Sequence, residues 1–278
     1  MTQQAPNREA GPTPVDPGGQ ETPPPIRLEQ VVYAVGDHTI LNGIDLTVAR
    51  GEIFAVMGRS GLGKTTLLRL MMGLIRPQAG RVLVYGEDLA RLQDAELARV
   101  RLKMGFIFQG AALFDSLTVG ENVAIGLVEH HLVPKDEVAE RVRHFLELVE
   151  VTEAERLRPA ELSGGMRKRV GIARALAMEP EIILYDEPTA GLDPISASAV
   201  DNLIKGLRDR LGVTSVVVSH DVASLRRVCD RAALLHDARF LAVGSMAELE
   251  AGGDPGVEQF LTGNHEGPLT DWRHEAKG

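Results

Sequence analysis

A glycine-rich stretch of eight residues has the composition and spacing of a loop that binds phosphate. It reads Gly58-Arg59-Ser60-Gly61-Leu62-Gly63-Lys64-Thr65 and matches the pattern G-x-x-x-x-G-K-[ST] in full. Glycines allow the backbone to wrap closely around an anion, so that its N–H groups point at the phosphates. We expect Lys64 to reach the β- and γ-phosphates of a nucleotide and the Thr65 hydroxyl to hold Mg²⁺. Thr66, the next residue, is included in the expected nucleotide contacts.

A second stretch ends in two adjacent carboxylates. The apolar run Ile182-Ile183-Leu184-Tyr185 leads directly into Asp186 and Glu187, so both carboxylates come at the end of a predicted strand. An Asp-Glu pair in such a position is usually a solvated turn, but its place downstream of a phosphate loop favours chemistry on the nucleotide. We therefore expect Asp186 to organise Mg²⁺, commonly through water, and Glu187 to polarise the attacking water as a general base.

The elements that position these residues predict an α/β fold with a largely parallel sheet. A strand leads through the phosphate loop into an amphipathic helix, and strands and helices alternate again from residue 181 onward. Residues 110–175 carry long helical patterns and few strand signals, so we interpret them as a helical subdomain inserted into the α/β body. The predicted strands are 27–35, 44–48, 53–57, 182–185, 214–219, 232–236 and 239–243, and the predicted helices include 135–150, 164–178 and 195–210.

The two ends of the chain differ from its body. Residues 1–25 are rich in Pro, Gly, Gln and Thr and predict a disordered arm, because nothing in them can form a core. Residues 26–251 form the predicted ordered domain. Residues 252–278 are interpreted as a polar tail with one short helical stretch at 257–261, and we hypothesise that this tail contacts a partner chain.

Composition excludes several classes of protein. The 278 residues are 44% hydrophobic and 4% aromatic, which indicates a sizeable aliphatic core. The net charge of −9 argues against a nucleic-acid partner held by bulk charge. Cys229 is the only cysteine, which argues against a disulfide framework or a Cys-rich metal site. We find no apolar run near the ~18 residues of a membrane-spanning helix and no signal peptide, so we expect a chain that neither spans a membrane nor is secreted by itself.

A third motif, Leu162-Ser163-Gly164-Gly165-Met166, is rarer than a phosphate loop. Ser163 can cap a helix that begins at Gly164, and the glycines let backbone N–H groups approach a γ-phosphate. With this pentapeptide, the chain resembles the ATPase subunit of an ABC transporter from about residue 26 to residue 243. The resemblance implies a P-loop NTPase fold of the ABC cassette type, with a RecA-like parallel-sheet core, an N-terminal antiparallel β part and an inserted helical subdomain. It further implies that Ser163, Gly164 and Gly165 act on ATP held by a second copy of the chain.

Four other positions match motifs of that family, in the family's order. The resemblance implies that Tyr33 stacks on adenine and that Gln109 senses Mg²⁺ and the lytic water and couples to the membrane partner. It also implies that Asp193 belongs to the D-loop and that His220 contacts the γ-phosphate. Each residue alone has an ordinary structural interpretation, such as a packed strand residue or a solvated histidine, and the joint order and spacing argue against it.

Finer details resemble the ATPases of Mla and Mce lipid-transport systems. They are Met166-Arg167-Lys168-Arg169, where Met166 replaces the commoner Gln, residues 109–114 after the glutamine motif, and residues 257–261 with Gly267-Pro268. This resemblance implies a phospholipid or sterol cargo, integral-membrane permease subunits and an MCE-domain protein. It places the chain at the cytoplasmic face of a bacterial inner membrane.

Alternatives remain open at this point. Cargo selection lies in other subunits, so a transporter for amino acids, metals, drugs or lipoproteins is the main alternative. A soluble ABC ATPase of translation or DNA repair is less favoured, because those usually carry two cassettes or long insertions. Leu113 and Phe114 either dock a permease or fill the core. Residues 167–169 are either a solvated helix face or contacts to a partner or to anionic lipid.

Overall fold

The computed structural model describes residues 22–270. The predicted arm at 1–25 therefore lies almost wholly outside the described residues, as do residues 271–278 of the predicted tail. The described part contains ten strands and nine α-helices. The strands are β1 (Ile26–Val35), β2 (His38–Val48), β3 (Ile53–Met57), β4 (Ala79–Val84), β5 (Glu87–Asp88), β6 (Met104–Ile107), β7 (Ile182–Asp186), β8 (Thr214–Ser219), β9 (Arg231–His236) and β10 (Arg239–Gly244). The helices are α1 (Lys64–Met71), α2 (Asp94–Leu102), α3 (Val119–Glu129), α4 (Val138–Leu148), α5 (Gly164–Leu176), α6 (Pro194–Leu211), α7 (Val222–Val228), α8 (Met246–Ala251) and α9 (Pro255–Thr262).

The strands form two sheets. A four-stranded antiparallel sheet has the order β2-β1-β4-β5, and a six-stranded sheet has the order β10-β9-β3-β8-β7-β6. The neighbours from β9 through β6 are parallel, and only the edge strand β10 is antiparallel to its neighbour. The larger sheet therefore brings the carboxyl ends of β3, β6, β7 and β8 to one edge, where ligands of such sheets bind.

Strand β3 shows why the larger sheet is buried on both faces. Its five residues are fully buried, as expected for a central parallel strand. Side chains alternate along it: Ile53, Ala55 and Met57 join the core formed with α3 to α7, whereas Phe54 and Val56 join the core formed with α1 and the smaller sheet. The sheet is thus held between two aliphatic layers, which makes its carboxyl edge a rigid platform.

Within the predicted helical subdomain at 110–175, helices α3, α4 and α5 pack on one another and contribute to the same core. The predicted helices 135–150 and 164–178 are found as α4 and α5. Strand β2 begins at His38 rather than at residue 44. Its first two residues are exposed and polar, so the sequence gives no apolar pattern at its start. Elements β4, β5, α2, β6, α3 and α8 were not predicted.

The C-terminal segment packs on the α/β body as far as the structure follows it. Val257 and Leu261 of α9, together with Leu269, belong to the larger hydrophobic core. The buried Gln259 amide donates to the Asn264 carbonyl, and its Oε1 accepts from the Leu269 backbone N–H. Residues 255–270 are therefore an integral layer of the fold. Among residues 22–270, no helix combines the length and apolar character needed to cross a membrane.

Candidate active site

The phosphate loop connects β3 to α1 at the carboxyl edge of the larger sheet. Gly63 caps α1 in the left-handed conformation, with φ of 95°, which favours glycine. A Cβ on Gly58 would lie 2.7 Å from the Leu235 carbonyl oxygen, and one on Gly63 would lie 2.6 Å from Ile40 Cγ2. Both positions therefore need glycine for space as well as for conformation.

Lys64 is buried and folds back over the loop. Its Nζ donates to the carbonyl oxygens of Gly58 at 2.8 Å and Arg59 at 3.1 Å, and it lies 3.5 Å from Glu187 Oε1. The loop thus holds the ammonium at the mouth of the cavity, where it can pair with an anionic phosphate.

Thr65 and Asp186 form the candidate Mg²⁺ position. The Thr65 hydroxyl lies 3.0 Å from each carboxylate oxygen of Asp186. Burial raises the pKa of Asp186, the neighbouring Glu187 charge adds to this, and the Thr65 hydrogen bond opposes it. A hydroxyl and a carboxylate are oxygen ligands of the kind Mg²⁺ prefers, with substrate phosphates completing its sphere. The donor set therefore fits the cation.

Glu187 leaves strand β7 through an unusual backbone turn. Its φ is 49°, the left-handed region that a residue with a Cβ adopts at some cost. Its N–H still bonds to the Val218 carbonyl at 2.9 Å. The carboxylate Oε2 lies 3.0 Å from His220 Nδ1 and accepts from Ser219 Oγ at 3.3 Å. The turn therefore aims the carboxylate into the cavity, where Ser219 at the end of β8 and His220 directly after it hold the carboxylate.

One cavity of about 260 Å³ lies among these residues. Its lining includes half of the predicted site residues: Ser60, Gly61, Gly63, Lys64, Thr65, Thr66, Gln109, Glu187 and His220. Ile40, which was not predicted, also lines it, because β2 runs beside the loop. A larger cavity of about 320 Å³ lies elsewhere, and none of its lining residues belongs to the three motifs.

Other predicted residues lie outside this cavity. Tyr33 is partly buried on β1, paired with Leu41, the neighbour of Ile40. Arg59 points away from the cavity, and its Nη1 donates to the Leu269 carbonyl at 3.1 Å. The lining also lacks Gly58, Leu62 and Asp186. The adenine-stacking role of Tyr33 and the nucleotide contact of Arg59 therefore stay predictions.

The Ser163 motif and Asp193 form a separate cluster. Ser163 Oγ accepts from Met166 N at 3.2 Å and caps α5. Asp193 caps α6 through Ile195 N and Ser196 N, and its hydrogen bonds with Ser196 lower its pKa. A Cβ on Gly165 would lie 3.6 Å from the Ser196 Cβ, so the two helix starts adjoin. None of Ser163, Gly164, Gly165 and Asp193 lines the cavity of their own chain.

Comparison with known proteins agrees with this arrangement of motifs. The family model for ABC transporters matches residues 41–190. The chain is 44% identical over 244 residues to the intermembrane phospholipid transport system ATP-binding protein MlaF of Escherichia coli, covering 88% of this chain and 91% of that protein.

The chain belongs to the ABC transporter family. It is an ATPase cassette of that family. The methionine import ATP-binding protein MetN of Geobacillus kaustophilus is 43% identical over 225 residues, covering 80% of this chain and 66% of that protein. A solved dimeric structure of the ATP-binding cassette MJ0796, in a post-hydrolysis state with ADP and Pi, has a TM-score of 0.72 and 34% identity, covering 80% of this chain and 98% of that one.

The three side chains of the basic run after the family motif differ in their burial. Lys168 is 6% exposed, and its Nζ donates to the backbone carbonyls of Gln109 and of Glu187. Arg167 donates to the Leu162 carbonyl at 2.6 Å, and Arg169 donates to the Val149 carbonyl at 2.9 Å. Lys168 therefore does not lie on a solvated face, whereas Arg167 is exposed, and contacts of the run with a partner or with lipid stay a prediction.

The two apolar side chains of the loop that follows Gln109 differ in their exposure. Leu113 packs partly against the core, whereas Phe114 is 51% exposed. The buried Asn122 side chain accepts from Phe114 N at 2.8 Å and donates to the Phe114 carbonyl at 3.1 Å. Arg174 donates to the carbonyls of Ala111 and Ala112. The cassette therefore holds this loop firmly while it presents an aromatic ring to the outside.

Proposed function

We propose that two copies of this chain bind two ATP molecules between them and that hydrolysis drives a membrane permease that moves phospholipid. The main support for this proposal is that two groups of expected ATP-binding residues lie apart from each other in one chain. Lys64, Glu187 and His220 gather at one cavity, whereas Ser163 and Asp193 lie in another cluster. A phosphate receptor at a helix start has no phosphate to bind in its own chain, so a second copy supplies it.

The chain's own groups account for the proposed chemistry. Glu187, held by Ser219 and His220, polarises the attacking water as general base. Lys64 and the N–H groups of the phosphate loop stabilise the negative charge of the transferred phosphoryl group. When both ring nitrogens of His220 carry protons, Nδ1–H can donate to Glu187 and Nε2–H can donate to a γ-phosphate oxygen. Bound Mg²⁺, held by Thr65 and Asp186 with Gln109 nearby, would neutralise phosphate charge.

The exposed surface beside the second cluster supports a dimer of cassettes. Ile195, two residues after Asp193, is 83% exposed, and Ser163 is exposed as well. A large apolar side chain beside an exposed anion receptor is expected where another protein surface covers it. The solved cassette MJ0796, 34% identical, is described as dimeric. Closure of two copies around ATP would follow from better binding of ATP to the closed state.

The proposal of a permease partner rests on the loop after Gln109, and the proposal of a lipid cargo rests on the names of the relatives. Phe108 and Phe114 are exposed large aromatic side chains on either side of Gln109, a suitable surface for a helix of a permease. The relatives named MlaF are phospholipid transport proteins by name. We place the chain at the cytoplasmic face of a bacterial inner membrane. Its proposed partners there are permease subunits and an MCE-domain protein, and we propose no nucleic-acid partner.

The test of the dimer uses Glu187→Gln. This variant keeps the size of the side chain but removes the base, so it should bind ATP, hydrolyse it at least ~100-fold more slowly and accumulate as a dimer with ATP. Light scattering after gel filtration, with and without Mg-ATP, measures this. A variant that remains monomeric with bound ATP would contradict the shared site.

The test of cargo uses the native complex. Affinity purification of the tagged chain from membranes, followed by mass spectrometry, should identify a permease with an MCE-domain protein and copurifying phospholipid. A soluble amino-acid-binding protein in their place would instead support the main alternative, a transporter for another cargo, which the relation to MetN also allows. Recovery of ribosomes or DNA without a permease would support the soluble ATPase.

A further inference from the structure

Lys168 lies one turn inside α5, the helix that Ser163 caps. Its Nζ reaches two backbone carbonyls on different parts of the α/β body: that of Gln109, just after β6, and that of Glu187, just after β7, at 3.2 Å. Strands β6 and β7 are parallel neighbours. One side chain from the helical region therefore ties the two loops that carry the proposed glutamine sensor and the proposed general base.

Packing alone would favour an apolar side chain at this position rather than a buried ammonium group. Lys168 occupies the buried face of α5 together with Ile172 and Ala175, positions that apolar side chains fill elsewhere on the helix. Burial lowers the pKa of Lys168, and the charges of Glu187 and Asp186 oppose that effect. A buried charge is tolerated when it is paired and hydrogen-bonded, and two carbonyls with two nearby carboxylates supply this at Lys168.

The bonds made by Lys168 go to main-chain atoms, so they fix where each loop lies without using either functional side chain. The Glu187 carboxylate stays available to His220 and Lys64, and the Gln109 side chain lines the cavity. Glu187 is also the residue with the left-handed backbone, φ of 49°. A cation on its carbonyl oxygen is well placed to hold that turn.

We propose that Lys168 is a positioning residue for hydrolysis, which holds the Gln109 and Glu187 loops in the reactive arrangement and links them to the helix whose start binds the partner's ATP. This inference rests on the proposed roles of Gln109 and Glu187. Movement of α5 toward a partner's nucleotide would pull on both loops through one ammonium group. Each site would then respond to the state of the other through a contact within a single chain.

The test compares Lys168→Met with the wild-type full-length chain in steady-state ATP hydrolysis. Because Lys168 does not line the nucleotide cavity, KM for ATP should stay within about twofold while kcat falls about tenfold or more. Lys168→Arg keeps the charge and the donors, so it should restore much of the lost kcat. If Lys168→Met does not fold, Lys168→Gln is measured in the same way, because it supplies a neutral amide donor. We again expect a lower kcat with a KM for ATP close to that of the wild type.

Arg169→Met is the matched control. Arg169 lies on the same helix and also donates to a backbone carbonyl, but that carbonyl belongs to Val149 in the helical region. This control should keep the wild-type kcat even if it lowers the melting temperature. A wild-type kcat in Lys168→Met, or equal losses in Lys168→Met and Arg169→Met, would overturn the inference.

Glu187→Gln in the same assay tests the general base separately from the positioning role of Lys168. If Glu187→Gln hydrolyses ATP at the wild-type rate, the proposed general base is wrong whatever Lys168 does. If Glu187→Gln is inactive and Lys168→Met is normal, the base role stands and only the positioning role of Lys168 is refuted. Loss of ATP binding in Lys168→Met, measured with a fluorescent ATP analogue, would also refute it, because a positioning residue leaves binding intact.

Discussion

Glu187 Oε2 and His220 Nδ1 lie 3.0 Å apart, although the two residues directly follow different strands, β7 and β8. The pairing depends on two features: the left-handed backbone of Glu187 and the adjacency of β7 and β8. It holds the carboxylate at the cavity and gives the imidazole a fixed orientation.

From this contact we expect His220→Ala to lower kcat by about 100-fold while ATP binding is largely retained, because Lys64 and the loop amides remain. Release of inorganic phosphate at saturating Mg-ATP measures the effect. His130→Ala, which changes an exposed histidine after α3, serves as the control. Equal turnover in the two variants would show that His220 has no part in hydrolysis.

Lys64→Ala should weaken ATP binding. The ammonium is buried at the mouth of the cavity, so its removal takes away a charge-assisted contact worth about 2 kcal/mol, or more than tenfold in Kd. Titration with a fluorescent ATP analogue gives the Kd. Lys205→Ala, an exposed lysine on α6, is the control, and nucleotide binding unchanged in Lys64→Ala would contradict the phosphate-loop assignment.

Asp186→Asn should raise the Mg²⁺ concentration needed for half-maximal hydrolysis. In the wild-type chain the same dependence should vary with pH, because burial raises the pKa of Asp186 and only the deprotonated carboxylate favours the cation. The Mg²⁺ requirement is therefore expected to increase as the pH falls toward that raised pKa. Hydrolysis measured across Mg²⁺ concentrations at several pH values checks both statements. A requirement that is unchanged in Asp186→Asn would remove Asp186 from the metal site.

Asp201→Ala tests the stability of the α6–α7 layer. Asp201 is almost fully buried, accepts from Ser224 Oγ and pairs with Arg227 Nη2 at 2.6 Å. Loss of one partner of such a buried network is expected to lower the free energy of unfolding by about 3 kcal/mol. Urea denaturation followed by circular dichroism measures it. Asp209→Ala, at a carboxylate that is 57% exposed, should cost at most about 1 kcal/mol.

The parts predicted from sequence are those whose signal is local. The phosphate loop and the strand before Asp186 each occupy a single continuous stretch, so backbone conformation and chemistry are encoded together. Strand β4 was missed because it begins with exposed Ala79, Gly80 and Arg81. Helix α2 was missed because it buries only Leu97 and Val100, too few to give a periodic pattern.

The contacts of the Lys168 side chain could not be predicted from the sequence, for a different reason. Three consecutive basic residues look alike in sequence, and only the phase of the helix separates them. Lys168 precedes Ile172 by four residues and Ala175 by seven, so it falls on the buried face. That spacing was available as a signal, but the acceptors are backbone carbonyls at residues 109 and 187. Such distant partners leave no mark in the sequence near residue 168.

The separation of Ser163 from the cavity of its own chain has a consequence for mixtures of inactive variants. A chain with Lys64→Ala keeps its Ser163 motif, and a chain with Ser163→Arg keeps its phosphate loop. When the two meet, one of the two shared sites carries both lesions and the other carries none. Equal amounts of the two impaired proteins should therefore regain up to about a quarter of wild-type activity, because half of the pairs are mixed and each mixed pair has one intact site.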